Sequence, residues 1–217
     1  MKKTEFVRFD PRQDGHLIDK LIHCYRLVFG ERPWSEWKKC SICGKKWGLE
    51  DLNELHAVHN LHCGREVEDF WPEVTVREDL FFEIKPESSC WLATQEKQST
   101  VDVVGFCWGY PILAEQLEIK LVLPGIAEKL KDRFGVDRFA YLDEIGLIKD
   151  MREKQIAKKL NDKVISDILA QGVSFFTVRT KTNPPTVAYH WLVKYGYEVV
   201  AHYNDSDGRV ILAKELR

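Results

Sequence analysis

Residues 139–198 constrain the fold more than any other stretch of this chain. In order they read as an apolar strand over Phe139–Ile148, a basic turn, an amphipathic helix over Arg152–Leu169, a strand over Val173–Val178, and a helix from Pro185 to about Tyr195 that closes on Tyr195-Gly196-Tyr197. The long helix carries Ile156, Leu160, Val164 and Ile168 on one stripe, so it packs on a sheet with one face and shows the other to water. A strand that feeds a basic helix is a place where proteins hold phosphates. The first backbone N–H groups of the helix have no intrahelical partner, and the helix dipole favours negative charge there. Lys149, Arg152, Lys154, Lys158 and Lys159 all fall within eleven positions of this turn and helix. From charge alone, a solvated helix face accounts for such a run equally well.

The rest of the chain alternates in kind. Glu5–Phe9 has strand alternation, and Asp14-Gly15 marks a turn. Leu17, Leu21, Cys24, Tyr25, Val28 and Phe29 then form a helical stripe that Gly30 ends. Cys90–Thr94 and Val101–Tyr110 read as a β-pair around a polar turn. Leu113–Phe134 is helical with an interruption near Pro124-Gly125, and Tyr197–Tyr203 and Arg209–Lys214 finish the chain as strands around "NDSDG". The class is mixed α/β. At 217 residues the chain suits one domain with an insertion.

The pieces "FAYLDEIGLIKDMREKQIAKKLNDKVISDIL", "SFFTVRT" and "KTNPPTVAYHWLVKYGYEVV" together resemble the coenzyme-binding half of the GNAT superfamily of N-acetyltransferases. The resemblance implies a single GNAT-like domain over residues 1–217: a central mixed, mostly antiparallel sheet flanked by helices, with an acetyl-CoA-binding core over 139–200. It implies acetyl-CoA as co-substrate and acetyl transfer to a primary amine of a small molecule or peptide. Leu147 and Ile148 would offer backbone groups to the pantetheine arm. The N–H groups of Arg152, Lys154, Gln155, Ile156 and Ala157 would cradle the pyrophosphate, with the side chains of Arg152, Lys154 and Lys158 nearby. Asn183 matches the family's Asn ahead of the last helix. In the family's Arg/Gln-x-x-Gly-x-Gly/Ala pattern, Arg152 and Ala157 fit, while Gln155 stands where glycine is usual. Glycine there lets the backbone approach the pyrophosphate without a Cβ.

The chemistry so implied is amine attack on a thioester, which needs a base for the amine and a donor for the developing charge. A carboxylate on the strand before the turn is the family's usual base. Asp143 and Glu144 alternate across that strand, so one of them faces the cleft, and we assign the base to Glu144. Many members place an acidic tyrosine four residues before the glycine of the aromatic-Gly-aromatic turn, and that position here is Leu192. Tyr189 and Tyr195 each lie three residues from it, and Tyr189 is the substitute we assign.

A second feature sits in residues 31–73, where Trp34, Trp37, Trp47 and Trp71 accompany Cys40, Cys43, His56, His59, His62 and Cys63. Cys40-Ser41-Ile42-Cys43-Gly44 has the form of a metal knuckle. The spacing to His56 and His62 is that of a C-x2-C-x12-H-x3–5-H zinc finger with both histidines on one helix. We take Cys40, Cys43, His56 and His62 as the ligands of a structural zinc in an inserted finger-like segment, with His59 or Cys63 as alternatives to His62. Cys24, Cys90 and Cys107 lie in apolar contexts and read as core.

Net charge is −2, which argues against a general nucleic-acid binder. Two other readings stand beside the transferase: a finger that grips nucleic acid or protein, and a GNAT fold that binds acyl-CoA without transferring it. The sequence holds no apolar run of membrane-spanning length and no signal-peptide core, so the expected location is the cytoplasm.

Overall fold

The computed structural model describes residues 3–53, 67–97, 100–183, 185–203 and 208–216. Its main sheet has seven strands. They are β1 (Thr4–Arg8), β5 (Ser89–Lys97), β6 (Thr100–Leu113), β7 (Arg138–Leu147), β8 (Phe175–Lys181), β10 (Arg209–Glu215) and β9 (Glu198–His202), in that spatial order. β1 runs antiparallel to β5, and β10 runs antiparallel to both β8 and β9. β7 and β8 are parallel. The sheet is thus mixed and mostly antiparallel, as the sequence suggested. Val210–Ala213 of β10 are buried throughout, as expected of an interior strand covered on both faces.

The chain divides into two compact units. The first comprises residues 1–85, 90–106 and 145–160, and the second residues 86–89, 107–144 and 161–217. In the first unit, α1 (Gly15–Gly30) buries Leu17, Leu21, Cys24, Tyr25, Val28 and Phe29, the stripe read from the sequence. Tyr25 stacks on Phe106 with ring centroids 5.6 Å apart. A Cβ on Gly146 would lie 2.5 Å from Phe106 and 2.8 Å from Val28, so the end of β7 passes close under α1 only because that residue is glycine. A small second sheet, β2 (Lys38–Cys40), β3 (Lys46–Trp47) and β4 (Val67–Asp69), has order β3-β2-β4 and is antiparallel throughout. It carries its own small cluster, Cys40 and Trp47 with Leu52 and Val67 against them. α2 (Glu73–Glu83) follows it and buries Val76 and Leu80.

In the second unit, α3 (Ala114–Leu121) and α4 (Ile126–Phe134) are the two halves of the interrupted helical region, and Gly125 between them has φ 82°. Their apolar faces pack with Phe139, Tyr141, Ala201, Ile211 and Ala213 in one cluster. α5 (Ile156–Leu169) and α6 (Val187–Lys194) complete the described helices. Among the described residues no helix is long and apolar enough to cross a membrane.

Several boundaries differ from the sequence reading for local reasons. The helix expected from Arg152 begins at Ile156, because Arg152 is extended with ψ 162° and Glu153 and Gln155 have positive φ. The last helix begins at Val187 rather than Pro185. Thr186 is its N-cap, with Oγ1 accepting from the Tyr189 N–H at 3.0 Å, and Pro185 forms a β-bridge with Thr182 instead. Cys40, assigned from the sequence as a zinc ligand, is 1% exposed.

Candidate active site

β7 ends at Leu147, and the chain makes one 3₁₀ turn over Lys149–Met151 that buries Met151. Glu153 then takes φ 63° and Gln155 φ 59°, both left-handed. An L-residue in that region costs about 1–2 kcal/mol, and such strain collects at functional loops. Gln155 therefore occupies the conformation glycine prefers, at the position where the family pattern carries glycine. It is left-handed rather than helical, and its C=O accepts the Lys159 N–H at 3.1 Å, the first bond of α5. The two left-handed residues lead directly into the N-terminus of α5, where N–H groups without an intrahelical partner suit an anion.

The cations of this loop are tethered. Arg152 pairs with Glu31 at 2.6 Å and donates through Nε to the Leu147 carbonyl at 3.2 Å. Glu31 itself caps α1 through its N–H to Leu27 O at 3.2 Å. Lys154 Nζ donates to the Asp150 carbonyl at 2.5 Å. Ala157 and Lys158 are half-buried, Ile156 and Leu147 are buried, and Ile148 donates its N–H to Val104 O at 3.2 Å. Glu31 was not anticipated as a partner, because nothing local in the sequence joins it to Arg152.

The two carboxylates on β7 have different surroundings. Asp143 Oδ2 accepts from the Tyr110 hydroxyl at 2.7 Å and lies 3.1 Å from Lys120 Nζ, with its side chain 5% exposed. Lys120 also stands over the Tyr110 and Tyr141 rings at 5.7 and 5.8 Å. Glu144 is half-buried, on the opposite side of the pleat. β7 is paired to β8 only over Ala140–Leu142 against Phe176–Val178, although β8 continues to Lys181. Asp143 and Glu144 therefore lie just past the end of that ladder, where the parallel strands no longer bond.

Leu192 is 3% exposed and belongs to the core. Tyr189 is half-buried beside His190, Tyr195 is exposed, and Asn183 is exposed next to the Thr182–Gly208 contact. The sequence reading did not single out Tyr197. It is 5% exposed, and its hydroxyl is the one buried side-chain polar atom without a hydrogen-bond partner among the described residues. Burial pushes the acidity of this phenol well below that of an ordinary tyrosine, and the nearby Cys107 adds to the effect.

In the small sheet, Cys40 ends β2 and Cys43 is exposed in the turn. Gly44 has φ 69°, and its N–H bonds to Cys40 O at 3.0 Å. His56 and His62, with the alternatives His59 and Cys63, lie outside the described residues. Among the described residues no three His, Cys, Asp or Glu side chains group as metal ligands.

No family model matches the chain, and no curated protein matches it. Solved structures do. A PaiA N-acetyltransferase from Thermoplasma acidophilum, in complex with coenzyme A, aligns with TM-score 0.54 at 12% identity, over 98% of this chain and 99% of the other. A polyamine N-acetyltransferase from Drosophila melanogaster that forms N-acetylagmatine aligns with TM-score 0.60 at 11% identity, over 99% and 100%. An arylalkylamine N-acetyltransferase 2 from Aedes aegypti aligns with TM-score 0.58 at 14% identity, over 99% and 100%. At such identities the likeness is one of fold: this chain has the fold of the GNAT acetyltransferases.

Proposed function

We propose that this protein is an acetyl-CoA-dependent N-acetyltransferase acting on a primary amine. The observation that carries the reading is the loop from Lys149 to Gln155, in an acetyltransferase fold. It holds backbone strain at Glu153 and Gln155 immediately before the N-terminus of α5, whose first N–H groups lack intrahelical partners. The backbone of Leu147 and Ile148 holds the pantetheine arm, and the N–H groups of residues 152–157 hold the pyrophosphate. Lys154 and Lys158 supply charge beside it. Arg152, paired with Glu31 and bonded to the Leu147 carbonyl, keeps the loop in shape.

Glu144 is the base in this reading. Asp143 is engaged by Lys120 and Tyr110, whereas Glu144 faces the other side of β7 at the point where β8 leaves it. It takes the proton that the amine loses as its nitrogen attacks the thioester carbonyl, and Tyr189 on α6 is the assigned acid. Asn183 orients the coenzyme ahead of α6. The acceptor is a small-molecule or peptide amine.

A structural zinc in the segment 31–73 completes the proposal. Cys40 and Cys43 sit three residues apart on a hairpin closed by a left-handed glycine, which suits two thiolates on one ion, and His56 and His62 supply the remaining ligands. A segment whose buried cluster is as small as Cys40 and Trp47 gains most of its stability from such a staple.

The test is calorimetric titration with acetyl-CoA, followed by thiol release over a panel of primary amines. Binding with turnover supports the reading, and Glu144→Gln should then lower kcat about 10²- to 10⁴-fold. Binding without turnover on any amine points to the acyl-CoA-binding alternative, which the buried Leu192 favours. No binding at millimolar coenzyme refutes both.

A further inference from the structure

We propose that the segment over residues 31–53 braces the coenzyme loop. Glu31 at its start and Glu50 in its 3₁₀ turn are positioning residues that hold Arg152 and Lys149, so acetyl-CoA affinity depends on two distant carboxylates. The inference rests on the coenzyme site proposed above and adds to it residues that touch no ligand in that reading.

The loop needs a brace. It runs from the 3₁₀ turn Lys149–Met151 through two left-handed residues, Glu153 and Gln155, neither of which is glycine. Such conformations persist only where surrounding contacts over-determine them. Several of the loop's bonds are local: Met151 N–H to Ile148 O at 3.0 Å, Arg152 N–H to Lys149 O at 3.2 Å, and Lys154 Nζ to Asp150 O at 2.5 Å. These set the turns but do not fix the loop against distant parts of the chain.

The long-range contacts come from carboxylates. Arg152 donates through Nη2 to Glu31 at 2.6 Å while its Nε holds the Leu147 carbonyl, so one guanidinium ties the end of β7 to the end of α1. Lys149, at the start of the same 3₁₀ turn, donates to Glu50 Oε1 at 3.3 Å.

Both carboxylates stand on a packed base. Glu31 caps α1 through its N–H to Leu27 O. Glu50 lies in the 3₁₀ turn Leu49–Asp51, and its second oxygen is 3.2 Å from Arg32 Nε. Arg32 also donates to Asp51 at 3.3 Å, and Asp51 accepts the Gly48 N–H at 2.9 Å. A Cβ on Gly30 would lie 2.8 Å from the Trp37 ring and 3.2 Å from Leu49, and one on Gly48 would lie 3.0 Å from Gly30 O. The end of α1, the tryptophan beside β2 and the 3₁₀ turn therefore meet too closely to shift independently.

Electrostatics alone and bracing predict opposite signs. Two carboxylates beside an anion site repel the ligand and occupy two of its cations. If that were their whole effect, removing them would tighten binding. If they brace the loop, removing them lowers the fraction of protein in the binding conformation, and the dissociation constant rises by the inverse of that fraction. The Glu31 side chain is 16% exposed and Glu50 is 41% exposed, so Glu31 carries the larger share.

The experiment is calorimetric titration of the full chain with acetyl-CoA at fixed ionic strength, well below the unfolding midpoint, with amide exchange over residues 149–156 as a second readout. The proteins are wild type, Glu31→Gln, Glu50→Gln, Arg152→Gln, the Glu31→Gln/Arg152→Gln double variant, and Asp19→Asn. The last breaks the Asp19–Arg77 pair between α1 and α2, away from the loop. Glu31→Gln should weaken binding about fivefold and Glu50→Gln about twofold, each with faster exchange in the loop. The double variant should bind no worse than Arg152→Gln alone, because Glu31 acts through Arg152. Asp19→Asn should bind as wild type does.

Unchanged or tighter binding by Glu31→Gln overturns the inference and leaves the coenzyme site standing. If Glu31→Gln does not fold, Glu50→Gln decides by the same criterion. Equal weakening by Asp19→Asn makes the effect a general loss of stability and also overturns it. A double variant about fivefold worse than Arg152→Gln overturns the route through Arg152. Wild type that does not bind acetyl-CoA removes the coenzyme site and this inference together.

Discussion

The Asp143 carboxylate lies 3.1 Å from the Lys120 ammonium, and only the lysine keeps some contact with water. Removing one partner of a buried pair leaves a charge without compensation, at about 3–5 kcal/mol. The low end applies because the Lys120 side chain is 27% exposed. Asp143→Ala should therefore lose about 3 kcal/mol in urea unfolding. Glu144→Gln, at a half-buried position, should lose less than about 1 kcal/mol. Equal losses would mean that the two carboxylates do not differ in role.

Gln155 at φ 59° carries a cost that glycine would not. The relief of about 1–2 kcal/mol is offset by the greater chain entropy of an unfolded glycine, so Gln155→Gly should gain about 0.5–1 kcal/mol. Without the Cβ, acetyl-CoA should also bind more tightly. A Gln155→Gly protein that is less stable than wild type would show that the left-handed conformation is not held in solution.

Stability should fall on the alkaline side. Burial raises the Cys24 and Cys107 thiols above their usual value of 9.0 and the Tyr197 phenol above 10.0. Each group stays protonated in the folded chain while its unfolded counterpart ionises, so its contribution is complete below the unfolded pKa and lost as pH rises. Above about pH 9 each such group should subtract up to about 1.4 kcal/mol per pH unit. Tyr197→Phe should remove one share of that slope above pH 10, read from unfolding midpoints between neutral and alkaline buffers.

Among the described cysteines Cys43 is exposed and Cys24, Cys40, Cys90 and Cys107 are buried. A thiol reagent on the native protein should label Cys43 first. If zinc is bound, labelling should be slow until a chelator is added, and the chelator should lower the thermal midpoint. Fast labelling of Cys43, unchanged by the chelator, would argue against the metal.

Thr186 anchors α6 twice, capping Tyr189 N–H at 3.0 Å and bonding Thr180 Oγ1 at 2.8 Å while buried. Thr186→Ala should cost about 1–2 kcal/mol and Thr186→Ser much less. Circular dichroism and unfolding midpoints distinguish the two.

Several of these relationships follow from periodicity. The stripe Ile156, Leu160, Val164 and Ile168, the alternation of β1, and the break at Pro124-Gly125 are all set by neighbours in the chain, and they appear as α5, β1 and the α3–α4 pair. Asp143 and Glu144 could be read as alternating across one strand, because the pleat has a period of two. The sequence alone thus determined the order of elements, the placement of the basic turn before α5, and the presence of two adjacent carboxylates on β7. Only the tertiary structure decided which carboxylate Lys120 neutralises, that Arg152 pairs with Glu31 across 121 positions of chain, that Gln155 takes a left-handed turn, and that the Tyr197 hydroxyl is buried without a partner. The physical reason is range. Helix and strand periods are local preferences of the backbone, whereas desolvation, ion pairing and an unmet hydrogen bond depend on which distant surfaces the packed chain brings against a side chain.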